Sequence, residues 1–386
     1  MEKEKYFDYA ATGIPDAEIL EKALAMSLEY SGNPSSVHQE GLKAKNLIDE
    51  MRNRCAKVLG VKAENLYFTS GGTESDHIPF LALLNRPNKG SVVISNIEHP
   101  AVREIAESLK KTGWKVIVAP CNQMGIVEPE TVVSKLQDDT VLVSVMTVNN
   151  ETGAIQPIYE IANAIENHCK GKRKPKFHTD AVQAIGKIPV DLAFKGIDCA
   201  SLSAHKFYGP RGIGLLYCDY PLDSFLKGGG QEKGVRSGTE NLFGIIAMTL
   251  CLEKYASKSA LEENLKSEKE NVDFFISEIL KDKNATLIPE CRSENPENYS
   301  PSVVQIAFNN IPGEVMVRTL SSKGYCISTG SACSARKMNR PILKAMGISD
   351  EKATNAVRFS FGAYTEKSHM ENLIKELTEI SGMFNR

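Results

Sequence analysis

The sequence lacks the features that would place it in a membrane, in the secretory route or on nucleic acid. It contains no run of about 18 consecutive apolar residues, so a membrane-spanning helix is not expected. A formal net charge of −2 gives no reason to expect nucleic acid or an anionic membrane as a partner. The chain starts with a charged segment rather than a cleavable signal peptide. These absences predict a cytoplasmic protein.

Cysteine and histidine spacings typical of metal or redox sites are also missing. The nine cysteines are scattered, no C-x-x-C motif occurs, and the closest pair is Cys326 and Cys333. An odd count argues against a complete disulfide framework, so most of them, including Cys55, Cys251 and Cys326, are expected to be buried thiols in a reducing compartment. No histidine pair has helical metal-ligand spacing, and no metal site is predicted.

What the sequence does contain is a long alternation of strands and helices. At 386 residues the chain is long enough for two domains. Between about residues 65 and 218, helical stretches separate seven β-rich runs: NLYFTS, SVVISN, WKVIVAP, TVLVSVMTVNN, KFHTDAV, CASLSAH and GIGLLYC. Several runs are almost continuously apolar, as in strands covered on both faces. This pattern predicts a three-layer α/β domain with a mainly parallel, seven-stranded sheet.

The sequence pattern changes after about residue 251. A charged amphipathic helix over 260–280 precedes a polar loop, the strand-like SVVQIAFNN, a further helix, and the strand-like AVRFSFG. The last segment, which contains Met370, Leu373 and Leu377, carries an apolar stripe at helical spacing. We predict a large α/β domain over residues 15–257 and a smaller α+β domain formed by residues 1–14 and 258–386.

Polar residues collect where the predicted strands end. In open α/β sheets this edge is where ligands bind. A glycine pair before Thr73 opens a helix, which is typical of an anion site, although a plain N-cap turn is the simpler alternative. Further polar side chains at the ends of these runs are His99, Asn150, Asp180, Gln183, Ser203, His205 and Lys206.

This set of groups suits pyridoxal phosphate. That cofactor needs a phosphate site, a lysine amine to hold its aldehyde as a Schiff base, and a carboxylate to keep its ring nitrogen protonated. His99 could stack on the ring. Because adjacent strand residues point in opposite directions, His205 is expected to turn towards the phosphate with Ser203, away from Lys206. Taken alone, Lys206 could equally be a solvated surface lysine. P-loop and dinucleotide-binding glycine patterns are absent.

Eight ordered motifs carry a family resemblance. They are FTSGGTES, EHPAV, NNETGAIQP, HTDAVQAIGKIPVD, SLSAHKFYGPRGIGLLY, GGGQEKGVRSGTEN, STGSACSA and VRFSFG. In order and approximate spacing they resemble the cysteine desulfurases, which belong to the class V aminotransferase group of fold type I pyridoxal-phosphate enzymes. The resemblance covers nearly the whole chain and implies conversion of L-cysteine to L-alanine, with pyridoxal 5'-phosphate as the cofactor.

The resemblance also implies roles for individual residues. Lys206 matches the Schiff-base lysine, Asp180 the partner of the ring nitrogen, Gln183 the donor to the phenolic oxygen, and His99 the stacked ring. The residues that match the phosphate cradle are Gly72, Thr73, Ser203 and His205, with Thr239 supplied across the interface of a homodimer. The residues that match the substrate-binding groups are Asn150 and Arg358, with Asn33 nearby.

Cys333 decides the reaction that the resemblance implies. It lies in a polar loop of small residues, STGSACSA, which favours a reactive thiol over a structural buried one. The thiol would accept the substrate's sulfur as a persulfide and pass it to an acceptor protein for iron–sulfur cluster assembly or tRNA thiolation. An aminotransferase of the same class would have no use for Cys333. A selenocysteine lyase and a non-catalytic sulfur-assembly scaffold are the remaining alternatives.

The sequence departs from the family's pattern in several places. Tyr9 and Gly13 stand where relatives commonly have Asn and Thr, so the entrance to the site is expected to differ. Pro79 should kink or shorten the helix that follows the glycine pair. The segment from Cys333 to Arg358 is about one residue shorter than in long-loop members of the family. Its basic residues, Arg336, Lys337 and Arg340, either form a solvated turn or act on the thiol and an acidic acceptor.

Overall fold

A computed structural model describes residues 2–330 and 340–384. Within these residues, seven strands form one sheet in the order β1-β7-β6-β5-β4-β2-β3. The strands are β1 (Leu66–Thr69), β2 (Ser91–Ser95), β3 (Lys115–Ala119), β4 (Thr140–Ser144), β5 (Lys176–Asp180), β6 (Cys199–Ser203) and β7 (Gly214–Cys218). The predicted α/β class and the seven-stranded, mainly parallel sheet are confirmed. β7 runs antiparallel to both of its neighbours, β1 and β6.

Helices pack around this sheet. They are α1 (Ala17–Glu29), α2 (Gln39–Leu59), α3 (Gly72–Leu81), α4 (Pro100–Lys111), α5 (Pro129–Ser134), α6 (Ile158–His168) and α7 (Leu242–Tyr255). The strands β2, β4, β6 and β7 are buried throughout, which is why their sequences are almost continuously apolar. As the sequence predicts, α3 is short: it ends at Leu81, two residues after Pro79.

A second, antiparallel sheet follows in the chain. Of the strands in the described residues, β10 (Ala356–Ser360), β9 (Val303–Phe308) and β8 (Ala285–Ile288) form it in that order. The surrounding helices are α8 (Lys258–Ile279), α9 (Gly313–Ser322), α10 (Pro341–Ala345), α11 (Asp350–Thr354) and α12 (Lys367–Phe384). Sequence analysis did not predict β8. The apolar stripe of α12 is confirmed, since Met370, Leu373 and Leu377 are buried.

The N-terminal segment lies beside the second sheet. Tyr6 forms a parallel bridge with Cys326, and Asp8 forms one with Ser360 of β10. Phe7 is fully buried in the apolar cluster that also contains Phe275 and Phe361. These contacts agree with the assignment of residues 1–14 to the smaller unit, although the domain boundaries stay a prediction. Among the described residues, no helix is both long and apolar enough to cross a bilayer.

Candidate active site

One cavity brings most of the predicted site residues together. It measures about 240 Å³ and lies where β4, β5 and β6 end, with Arg358 of β10 on its wall. The predicted residues that line it are Gly72, Thr73, His99, Asn150, Asp180, Gln183, Ser203, His205, Lys206 and Arg358. A chain folded as an open α/β sheet is expected to gather its ligand groups at this edge.

Lys206 is held in the cavity by backbone carbonyls. It ends a short 3₁₀ turn, Ala204–Lys206, that directly follows β6. Its Nζ donates to the carbonyl oxygens of Ala10 at 2.5 Å and Ala11 at 2.8 Å. Burial, followed by the positive charges of Lys187 and Arg358, lowers the pKa of Lys206 to about 7. A substantial fraction of this side chain is therefore a neutral, nucleophilic amine near neutral pH.

The prediction that His205 and Lys206 point in opposite directions assumed that the strand continues through them, and it does not. The strand ends at Ser203, and the tighter turn that follows lets both side chains line the same cavity. His205 Nδ1 lies 3.2 Å from Thr12 Oγ1. Burial and the neighbouring Lys206 lower the pKa of His205 to about 3, so this ring is neutral.

Two carboxyl groups lie together on the cavity wall. Asp180 ends β5, and its Oδ1 accepts a hydrogen bond from the Val182 N–H at 2.9 Å. Asp76, on α3, is 1% exposed, and its Oδ1 has no hydrogen-bond partner in the described residues. Burial raises the pKa of both groups, that of Asp76 further because of the Asp180 charge. Such a pair favours one ionised and one protonated carboxyl group.

His99 caps the helix that it precedes. Its Nδ1 accepts a hydrogen bond from the Ala101 N–H of α4 at 3.1 Å. Burial, with the charges of Lys206 and Arg103, lowers the pKa of His99 to about 4. The ring is therefore neutral at pH 7, and because Nδ1 is an acceptor, its proton is on Nε2.

The start of α3 forms a cradle for an anion. Gly71 has a φ of +150°, and Gly72 begins the helix. A Cβ atom on Gly72 would lie 2.9 Å from Val182 Cγ2 and 3.5 Å from Ser203 Cβ, so an alanine there would require α3 or Val182 to shift. The backbone N–H groups at this helix end, with Thr73 and Ser203, suit a phosphate.

Arg358 is a buried cation that keeps donor capacity. It is 1% exposed; Nη1 donates to the Asn150 carbonyl at 2.8 Å and Nη2 to Asp8 Oδ1 at 2.8 Å. In the part of the chain that the structure describes, its Nε and Asn150 Oδ1 are buried without a hydrogen-bond partner. A donor and an acceptor left open beside one another suit a small polar substrate.

Two predicted residues in the described ranges are not in the cavity. Asn33 and Thr239 are exposed and do not line it. Cys333 lies outside the described residues, as do Arg336 and Lys337.

The departures from the family pattern lie mostly behind the cavity. Tyr9 is 2% exposed and packs against Tyr6 and Tyr208, so it is not an entrance residue. The Gly13 N–H donates to the His205 carbonyl at 2.7 Å, and a Cβ there would lie 3.1 Å from that oxygen. Arg340 is not in a solvated turn: its side chain is partly buried and donates to the Ala356 carbonyl at 3.0 Å.

The cavity also contains residues that the sequence reasoning missed: Ala10, Ala11, Asp76, Met146 and Val182. Ala10 and Ala11 act through backbone carbonyls, which no side-chain pattern predicts. Asp76 is informative only through its burial, which the sequence does not show.

One group in the described ranges could hold a metal ion. Asp76, His99 and Asp180 each place a ligand atom within 4.8 Å of the others. They share the cavity with the Lys206 amine, so a metal ion and an aldehyde cofactor would compete for this space. The poised amine and the anion cradle favour the cofactor.

Comparisons with known proteins agree with this geometry. The profile of the family described as aminotransferase class-V matches residues 5–373. A cysteine desulfurase IscS of Clostridium botulinum is 36% identical over 388 residues, covering 98% of this chain and 95% of the relative. A cysteine desulfurase IscS of Methanosarcina thermophila is 36% identical over 385 residues, covering 98% and 92%.

Solved structures are similar as well. A NifS-like protein superposes with a TM-score of 0.88 at 34% identity, covering 98% of this chain and 99% of its own. SspA in complex with cysteine superposes with a TM-score of 0.80 at 30% identity, covering 94% and 100%. The chain belongs to the cysteine desulfurases of the class-V aminotransferase family, whose members depend on pyridoxal phosphate.

Proposed function

We propose that this chain is a pyridoxal-phosphate-dependent cysteine desulfurase that transfers the sulfur of L-cysteine to Cys333. One observation carries the proposal. The partly buried Lys206 amine shares a single cavity with a phosphate cradle, a buried carboxyl group and a buried guanidinium with an open donor.

The residues present fit the cofactor. Gly72, Thr73 and Ser203 would hold its phosphate at the start of α3, where Gly72 allows the helix to approach Ser203 closely. Asp180 would pair with the ring nitrogen, and His99 would stack on the ring. When bound, pyridoxal phosphate supplies an aldehyde that reacts with amines and a ring that withdraws electrons from the attached carbon.

The acid and base groups have protonation states that suit proton transfer. Lys206 would hold the aldehyde and, once released by the substrate's amine, accept the Cα proton at Nζ. Its pKa of about 7 leaves a useful fraction of free base at neutral pH. His99, neutral with its proton on Nε2, could donate to the substrate side of the cavity.

Arg358 and Asn150 would orient the substrate. The unpaired Arg358 Nε can donate to the carboxylate of an amino acid, and the unpaired Asn150 Oδ1 can accept from its amine. Asp8 already binds Nη2, which keeps the guanidinium oriented, while the neighbouring Nε–H has no partner in the described residues. These contacts favour an α-amino acid as the substrate.

The sulfur step requires a thiol that reaches this substrate. Ser328 pairs through its backbone with Arg358, and Cys333 follows Ser328 by five positions, which span at most about 18 Å when extended. The Cys333 thiolate would attack the substrate's sulfur: an S–S bond forms, the C–S bond breaks, and its electron pair is protonated on carbon. L-Cysteine and the thiol thereby give L-alanine and a Cys333 persulfide without an external oxidant.

Release of alanine and sulfide from L-cysteine under reductant tests this proposal. The unmodified protein should release both, and Cys333→Ser should release neither, whereas Cys169→Ser, a partly exposed cysteine at the end of α6, should behave like the unmodified protein. Equal release by Cys333→Ser would instead support a lyase that needs no persulfide.

We also propose a homodimer that delivers sulfur to an acceptor protein of iron–sulfur cluster assembly or tRNA thiolation. Thr239 is exposed and outside its own chain's cavity, as expected of a residue that serves the partner's phosphate site.

A further inference from the structure

Lys187 is a buried lysine that lies behind the cavity rather than in it. It is 6% exposed, and its Nζ donates to Gln183 Oε1 at 2.6 Å. Within the described ranges this is the one hydrogen bond of its ammonium, and no carboxylate forms a salt bridge with it. Burying an ammonium group without a salt bridge is unfavourable, so such a residue points to a functional requirement.

The contact with Lys187 fixes which end of the Gln183 amide faces the cavity. An ammonium group can only donate hydrogen bonds, so it must face the amide oxygen. The amide nitrogen is thereby turned to the other side, where Nε2 donates to the Ala10 carbonyl at 2.9 Å. The same carbonyl accepts from Lys206 Nζ at 2.5 Å. One row of hydrogen bonds therefore connects Lys187 with the reactive amine.

The charge of Lys187 acts on Lys206 as well. After burial, it is the largest influence that lowers the pKa of Lys206 to about 7, ahead of Arg358. Lys187 lines a small cavity with Glu268 of α8 and the side chains of Tyr208 and Tyr255. The charge of Arg358 of β10 also acts on it. Glu268 partly offsets the effect of burial, which lowers the pKa of Lys187 to about 8.

We propose that Lys187 is a positioning residue of the cofactor site: it fixes the orientation of the Gln183 amide and places a positive charge behind the Lys206 amine. The inference rests on the proposed function, since it assigns Gln183 to a cofactor acceptor oxygen. Lys187 touches neither substrate nor cofactor. It acts through Gln183 and through its charge.

The electrostatic part is tested by the capture of pyridoxal phosphate by the apo-protein over a range of pH. The capture rate of the unmodified protein should reach half its maximum near pH 7. In Lys187→Met the half-maximal pH should rise by about one pH unit, because a nearby like charge is lost. Lys195→Met, which removes a lysine whose side chain is 86% exposed, is the matched control and should not shift the profile.

The positioning part is tested with a double-mutant cycle on the dissociation constant of pyridoxal phosphate. Lys187→Met should weaken binding about tenfold in the unmodified protein and hardly at all in a Gln183→Leu background. An equal loss in both backgrounds would show that Lys187 does not act through Gln183. If Lys187→Met does not fold, Lys187→Gln removes the same charge and takes its place in both measurements.

The outcomes separate this inference from the function on which it rests. An unmodified protein that captures no pyridoxal phosphate would overturn the proposed function. An unmodified protein that captures it normally, beside a Lys187→Met variant with the same pH profile and the same affinity, would overturn only the role of Lys187.

Discussion

At the scale of single residues, the cavity concentrates charged groups that an ordinary core excludes. Lys206, Arg358 and Asp180 share its wall, and Lys187 lies behind it. Each of these groups loses hydration on burial, and the positive charges of Lys206, Arg358 and Lys187 repel one another. A bound cofactor and substrate would supply the missing partners. The ligand-free protein should therefore be less stable than its apolar core alone would make it.

Lys206 provides a test of this idea, because its pKa in the folded protein lies below its unfolded value. Between about pH 7 and pH 10 the unfolded chain binds a proton at Lys206 that the folded chain does not, so stability rises with pH in this window by up to about 1.4 kcal/mol per pH unit. In Lys206→Met this contribution is absent. We expect Tm of the apo-protein to rise less between pH 7 and pH 9.5 in Lys206→Met than in the unmodified protein.

Comparing the two slopes removes effects common to both proteins. The lost hydrogen bonds to Ala10 and Ala11 lower Tm of the variant at every pH. Lys187 also has a lowered pKa. Loss of the like charge of Lys206 weakens that lowering, which reduces the slope of the variant further. Equal slopes would mean that Lys206 is ordinarily protonated in the folded protein, which would contradict its assignment as a poised amine.

Whether a residue acts through its side chain or its backbone explains which parts of the site could be predicted from the sequence. Lys206, Asp180 and His99 carry chemistry in their side chains, and each follows a recognisable strand, so the sequence predicted that they would meet. Ala10 and Ala11 contribute carbonyl oxygens, which every residue has. Asp76 and Lys187 become informative only through burial, and burial of a charged residue runs against the average that sequence reasoning uses.

At the scale of elements, the site depends on how closely α3 approaches the end of β6. Gly72 is the point of closest approach, and a Cβ atom there would lie 2.9 Å from Val182 Cγ2, so one of the two must shift. Gly72→Ala should therefore displace the helix N-terminus from the phosphate and weaken pyridoxal phosphate binding about tenfold, a cost of about 1.4 kcal/mol. The dissociation constant, measured by fluorescence or by equilibrium dialysis, checks this expectation.

Two further variants separate crowding from the general effect of an added methyl group. Gly382→Ala places a Cβ where no atom lies within 4 Å, so it should bind the cofactor normally. Adding Val182→Ala to Gly72→Ala restores space and should recover much of the lost affinity. If the double variant binds no better than Gly72→Ala, crowding against Val182 is not the cause.

Element by element, the large sheet was more predictable than the small one. Its buried strands read as continuous apolar runs, and strand–helix alternation leaves few topologies to consider. The reversal of β7 was not predicted, because orientation depends on the connection rather than on the strand's own residues. β8 was missed because four residues, half of them only partly buried, make a weak signal next to Pro289.

At the scale of the whole molecule, Thr239 does not line the cavity of its own chain. The loop that contains Thr239 is fixed at its base by Glu232, which forms a bidentate ion pair with Arg52 at 2.7 Å and accepts the Phe68 N–H at 2.8 Å. Thr239 is thus exposed on a segment anchored to the protein's own core. Sequence analysis could assign it to the phosphate only through the family resemblance, since contacts between subunits leave no pattern along one chain.

Complementation between two defective chains tests whether Thr239 serves the partner. Lys206→Ala removes the cofactor amine, and Thr239→Val removes one hydroxyl that would bind the phosphate. If each cavity takes Thr239 from the other subunit, a mixed dimer contains one intact cavity, made from Lys206 of the Thr239→Val chain and Thr239 of the Lys206→Ala chain. Random mixing of equal amounts in a two-fold dimer should then restore about one high-affinity site in four.

If Thr239 acted within its own chain, mixing would restore none, because no cavity would hold both residues. Titration of pyridoxal phosphate into the refolded mixture, with each variant refolded alone as the control, therefore decides between a site completed by the partner and one that a single chain contains.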